Sequence, residues 1–222
     1  MMIKVCGMRE PENILAVASL TPMLMGFIFH KESPRDASSL NPDAVKSLPP
    51  FIRPVGVFVD KPDEYIISVC TDYSIKIVQL HGSESPEQCL RLKRRGYTVF
   101  KAFGIGNNND FDNVSSYEEA VDMFLFDTQS ASHGGSGKKF DWSSLESYNL
   151  DTPYLLSGGI GPDDVDAIVK AVRPGMAGID INSRFETSPG IKDINKLINF
   201  ILSLRKFNEH EPNTTPFWEK KI

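Results

Sequence analysis

Asp127 is the one carboxylate at the end of the apolar run Asp122–Phe126, and it opens onto the polar stretch TQSASHGGSGKK, residues 128–139. An acid at the end of a buried strand, followed by backbone bare enough to approach a ligand closely, is one way an α/β protein presents chemistry. Other apolar runs end in similar groups: Cys6, Phe29 with Arg35 just beyond, Asp60, His81, Gly104, Ser157-Gly158-Gly159 and Asn182-Ser183-Arg184. Each has a bland alternative. Cys6 alone reads equally as a small buried hydrophobe, Asp127 as a loop cap, His81 as a partner of the turn backbone at Gly82, and Asp60 as an Asx-type turn residue. The glycine clusters are harder to dismiss. Gly134-Gly135-Ser136-Gly137, Gly158-Gly159 and the 182–184 turn follow three successive strands. Free amides in such loops, after the last strands of a barrel, are a common phosphate site. A phosphorylated small molecule is therefore the expected ligand.

These groups need a scaffold that brings strand ends together. Apolar runs recur at Met2–Cys6, Met23–Phe29, Val55–Val59, Ile75–Leu80, Tyr97–Phe103, Asp122–Phe126, Tyr154–Ser157 and Met176–Ile181. The near-continuous hydrophobicity of Met23–Phe29 implies a strand buried on both faces. Between them lie helix-period segments: 11–20 with Pro11 as first helical residue, 42–48 capped by Asn41, 63–72, one from Ser85-Pro86, 116–120, 142–148, 163–172 and 192–206. Eight strand–helix units predict an α/β fold, a single (β/α)8 TIM barrel over residues 1–206, with its active site at the C-terminal ends of the strands. An open doubly wound sheet is the alternative, but no GxGxxG follows the first strand. Residues 207–222, polar and broken by two prolines, read as a C-terminal tail.

Composition narrows the function. A formal net charge of -5 argues against general nucleic-acid affinity. No apolar run approaches the roughly 20 residues of a membrane span. Three cysteines, Cys6, Cys70 and Cys89, lack metal or redox spacing and point to a reducing, cytoplasmic setting. The four histidines have no ligand spacing, so no metal site is expected.

Taken together, KVCGM at 4–8, GFIFHKESPR at 26–35, VGVFVD at 55–60, QLHGSE at 79–84, FDT…GGSGKKFDW, LLSGGIGP and GIDINSRFETSPGIKD at 178–193 resemble the phosphoribosylanthranilate isomerases of tryptophan biosynthesis. The resemblance spans residues 2 to about 205. It implies an Amadori rearrangement of N-(5-phosphoribosyl)anthranilate to 1-(2-carboxyphenylamino)-1-deoxyribulose 5-phosphate, without a cofactor. Carried over by motif, Cys6 is the general base at the sugar C2 and Asp127 the general acid at the ring oxygen. Arg35 faces the anthranilate carboxylate, with His81 nearby. Gly135, Gly137, Gly158, Gly159, Asn182 and Ser183 are then substrate-binding positions. Arg184 stands where the family usually has Gly; it offers the phosphate a backbone amide and a charge, or it points to solvent. The two rivals are the histidine-pathway aminoaldose isomerase, which carries a carboxylate where this chain has Cys6, and a non-catalytic phosphosugar-binding barrel. A thiol base with a carboxylic acid partner holds its protons in the unfavourable order. Ordinary values near 8.5 and 3.9 put the inverted form about 6 kcal/mol uphill, so the pair predicts a bell-shaped pH–rate profile.

Overall fold

The computed structural model describes residues 1–106, 111, 113–128 and 141–208. Eight parallel strands close on themselves in sequence order: β1 (Met2–Val5), β2 (Leu24–Ile28), β3 (Arg53–Phe58), β4 (Ile77–Leu80), β5 (Thr98–Ile105), β6 (Met123–Thr128), β7 (Tyr154–Leu156) and β8 (Met176–Ile181). The ring closes where β1 pairs with β8, in the register Met2↔Gly178, Lys4↔Asp180. Parallel neighbours need crossovers. Four are helices: α1 (Pro11–Ala18), α2 (Asp43–Lys46), α3 (Asp63–Asp72) and α4 (Pro86–Arg94). A fifth, α5 (Val165–Ala171), joins β7 to β8, and α6 (Ile194–Asn208) follows the barrel.

Period-two alternation divides the strands into two apolar layers. Met2, Leu24, Val55, Ile77, Phe100, Leu125, Leu155 and Ala177 fill the barrel interior. Phe27, Phe29, Phe58, Phe124 and Phe126 face the surrounding helices; Phe29 stacks on Phe58 and Phe124 on Phe126, and Phe103 meets Phe124 edge-on. Each fully buried side chain of this size contributes roughly 1.5–3 kcal/mol.

Several expectations need correction. Residues 116–120 and 142–148 do not form α-helices; the chain makes 3-10 turns at Ser115–Ala120 and Trp142–Ser147. Both segments are short and rich in Ser and Glu, with few apolar positions to bury, so tight turns suffice. Where a loop over 182–190 and a helix from Lys192 are expected, the chain makes a two-stranded ribbon, β9 (Glu186–Ser188) with β10 (Ile191–Lys192), and the helix begins at Ile194. Tertiary contacts hold the ribbon: Asn13 of α1 accepts from the Lys192 N–H (2.8 Å) and donates to its carbonyl (3.0 Å). The Ser85 cap is present, with its Oγ accepting from the Gln88 N–H. The Gln88 side chain donates to Lys61 O (2.8 Å) and Asp63 Oδ1 (3.0 Å) at the start of α3. Gly135, Gly137 and nearly all of the 207–222 tail lie outside the described residues. Among the described residues, no helix is long and apolar enough to cross a membrane.

Candidate functional site

The alternation that fills the lower barrel with apolar side chains turns polar near the C-terminal ends of the strands. On β1 the inward positions run Met2, Lys4, Cys6; on β4 they run Ile77, Gln79, His81; on β6, Leu125 gives way to Asp127; on β8, Asp180 and Asn182 follow. Cys6, Gln79, His81, Asp127, Asp180 and Asn182 surround a cavity of about 500 Å³ whose walls also include Arg35, Ser157, Gly158, Gly159 and Ser183. The strand-end residues thus converge as the barrel geometry requires. Arg184 does not join them: it is exposed, with its Nε beside Gly161. Among the described residues, no group of three or more His, Cys, Asp or Glu is arranged to hold a metal ion.

Cys6 lies on the cavity floor and is 4% exposed. Its sulfur fits there because β2 presents a glycine opposite it: a Cβ on Gly26 would stand 2.7 Å from Sγ. Burial pushes the thiol up from its ordinary value, Lys4 pulls it down, Asp180 pushes it up and Lys192 pulls it down. Lys4 and Asp180 form an ion pair at 2.9 Å inside the barrel.

Across the cavity, Asp127 Oδ1 accepts from the Thr128 N–H (2.7 Å). Its other oxygen lies 3.5 Å from His81 Nε2. Gln79, 1% exposed, sets its side-chain Nε2 2.8 Å from His81 Nδ1 and so holds the ring in place beside Asp127. Below them, a buried clamp fixes the strand ends. Glu84 accepts from the N–H of Asp60 and of Gly82, both at 2.9 Å, and pairs with Lys101 at 3.3 Å.

Arg35 reaches the cavity from the loop after β2 already engaged. Its Nε and Nη2 grip Glu186 of β9, with Nη2–Oε2 at 2.6 Å. Lys192 of β10 binds the other side of the carboxylate (2.6 Å) and donates to Asn182 Oδ1 (2.7 Å). Burial pushes the Glu186 carboxyl up, but the Arg35 fork and Lys192 outweigh it and hold the group below its ordinary 4.5. The stability it contributes is therefore present above the unfolded value and lost as pH falls through the lower folded one.

At the mouth, Gly158 and Gly159 adopt positive φ, 87° and 66°. A Cβ on Gly158 would meet Thr128 Oγ1 at 2.3 Å and Asp127 Oδ1 at 3.1 Å. The turn therefore brings bare backbone against the acid's own loop, with Asn182 and Ser183 beside it on the cavity wall.

Sequence reasoning identified Cys6, Arg35, His81, Asp127, Gly158, Gly159, Asn182 and Ser183, and all line one cavity. It missed Lys4, Gln79, Asp180, Glu186 and Lys192. For the first three a signal existed: a polar residue at an inward position of an otherwise apolar strand. Glu186 falls in the stretch expected as a loop and Lys192 at the expected start of the last helix, but both lie in the ribbon, and nothing local marks them.

The family model described as N-(5'-phosphoribosyl)anthranilate isomerase matches residues 3–203. The isomerase of that name from Parabacteroides distasonis is 49% identical over 203 residues, 90% of this chain and 92% of the relative. Its counterpart from Phocaeicola vulgatus is 43% identical over 206 residues, 93% of this chain and 98% of the relative. Among solved structures, phosphoribosyl anthranilate isomerase from Thermotoga maritima superimposes with a TM-score of 0.80 at 33% identity, covering 93% of this chain and 99% of that one. A further structure, of the same kind of enzyme in complex with reduced 1-(o-carboxyphenylamino)-1-deoxyribulose 5-phosphate, gives 0.79 at 31% identity, with 93% and 99% covered.

Proposed function

The chain belongs to the N-(5'-phosphoribosyl)anthranilate isomerase family of tryptophan biosynthesis, and on that premise we propose that its own Cys6 and Asp127 carry the aldose–ketose rearrangement. Asp127 protonates the ribose ring oxygen, and the furanose opens to a protonated Schiff base. The Cys6 thiolate then removes the proton from C2, the electron pair moves into the C1–C2 bond, and the resulting enolamine tautomerises to the 1-deoxyribulose product. The observation that carries this reading is the convergence of the Cys6 thiol and the Asp127 carboxylate on a single cavity, where Asp180, the other strand-end carboxylate, is already paired with Lys4.

Two further features support it. The substrate is anionic at both ends, and the cavity offers a complementary group for each. Gly158-Gly159 with Asn182-Ser183 supplies backbone and hydroxyl groups for the phosphate. Arg35 supplies a forked cation for the anthranilate carboxylate. The product analogue bound by the solved relative carries the same two anionic groups. Cysteines that are all unpaired and buried also suit a reducing cytoplasm. The test is direct: the purified chain, mixed with N-(5-phosphoribosyl)anthranilate, should consume it at a rate proportional to protein, followed by loss of substrate fluorescence. Decay no faster than in buffer would overturn the assignment.

The grip of Glu186 on Arg35 yields a separate expectation. Arg35 and Lys192 repel each other, and Glu186 is the anion that holds both. In Glu186→Gln the guanidinium loses the partner that fixes its plane. KM should rise about tenfold with kcat nearly unchanged, the signature of binding lost equally from ground and transition states, worth about 1.4 kcal/mol. A fall in KM would mean instead that Glu186 competes with the substrate carboxylate for the fork.

A further inference from the structure

An ammonium group inside a barrel is unfavourable unless something matches its charge. Lys4 is fully buried. It stands two residues before Cys6 on the same strand, so the pleat sets both side chains on the inner face, one step apart. Closure of the ring sets Asp180 of β8 directly opposite, and Lys4 Nζ donates to its Oδ1 at 2.9 Å. The ion pair thus lies immediately beneath the thiol at the cavity floor.

We propose that Lys4 is a positioning residue for the reaction, holding a fixed positive charge against the Cys6 sulfur so that the thiolate can form in a dry site, while Asp180 keeps Lys4 charged. The charged groups that act on the thiol come from three elements: Lys4 on its own strand, Asp180 on β8 and Lys192 on β10. His81 and Asp127 face the same cavity from β4 and β6. Burial opposes the thiolate, the two lysines favour it and Asp180 opposes it. Burial also opposes the Lys4 ammonium, but Asp180 and Cys6 outweigh it and hold the amine above its ordinary value. Lys4 and Asp180 therefore act on the sulfur with opposite signs. A merely structural ion pair would leave the acidity of the thiol where it is.

This inference rests on Cys6 acting as the base, so its test reads the thiol itself and not turnover. The rate of Cys6 alkylation by iodoacetamide is measured against pH, resolved by peptide so that Cys70 and Cys89, both pushed up to about 12 by burial, are counted apart. In Lys4→Met the midpoint should rise by about one unit, a roughly tenfold slower reaction at pH 8. The double variant Lys4→Met/Asp180→Asn, which buries no unpaired charge, should titrate above the wild type and serves if Lys4→Met does not fold. An unmoved or lowered midpoint in folded Lys4→Met or in the double variant overturns the proposal. Should turnover survive Cys6→Ala while these shifts appear, the assignment of the base fails and the Lys4 effect stands.

Discussion

Cys6→Ser should lower kcat by about 10²–10⁴ while the protein keeps its fold. Oxygen replaces sulfur with little change of shape, and the hydroxyl can still sit above Lys4 in the space that Gly26 leaves. What disappears is the acidity. A thiol can be ionised by a nearby cation, whereas a serine hydroxyl stays protonated at any workable pH, so the C2 proton has no acceptor. General-base catalysis is typically worth that 10²–10⁴ factor. Asp127→Asn should cost a similar factor for the complementary reason: the amide cannot protonate the ring oxygen. It can still accept the Thr128 N–H that Asp127 Oδ1 accepts at 2.7 Å, so the loop should hold its shape. Groups acting in one sequence of proton transfers are not additive. The double variant should therefore lose little more than the worse single one. Turnover by fluorescence, with melting temperatures as a fold control, checks all three, and near-normal rates in either single variant would remove these residues from the mechanism.

The largest expected effect on stability is at Lys101. Its ammonium donates to Gly82 O (2.7 Å) and Ala102 O (3.0 Å) and pairs with Glu84, with the two side chains 3% and 0% exposed. Lys101→Met would leave the Glu84 carboxylate buried without its cation. Breaking such a pair typically destabilises by about 3–5 kcal/mol, which for a chain of this length is a fall in Tm of roughly 6–20 °C. The exposed Lys196–Asp193 pair, at 3.6 Å, is the control. Lys196→Met should leave Tm almost unmoved, because solvent already screens that pair. Thermal unfolding followed by circular dichroism distinguishes the two, and equal small shifts would show that the Glu84 clamp adds nothing. Since the clamp ties the loops after β3 and β4, His81 should also lose its fixed place, and turnover should fall before the protein unfolds.

Much of the molecule was legible in the residues because its determinants are local. Eight apolar runs separated by helix-period segments specify strands and crossovers within a few residues, and Pro11, Ser85 and Pro86 mark helix starts by their own backbone chemistry. Strand ends are therefore visible too, and with them Cys6, His81, Asp127, Gly158 and Asn182. The failures also follow a pattern. Residues 116–120 and 142–148 have too little periodic apolar character to decide between an α-helix and a tighter turn. The β9–β10 ribbon has no signature of its own because Asn13, 179 residues away in sequence, satisfies its backbone.

What the sequence determined by itself was which groups would stand at the mouth of the barrel, because a period of two and a run of apolar residues are enough to say which side chain comes last and faces in. Only the tertiary structure decided the partners of those groups. Lys4 meets Asp180 across 176 positions and Arg35 meets Glu186 across 151. The first pairing depends on the register in which β1 closes against β8, and the second on a ribbon folded back over the rim. Charge attraction at these distances is specified by closure of the ring, a global condition that no local stretch of residues encodes.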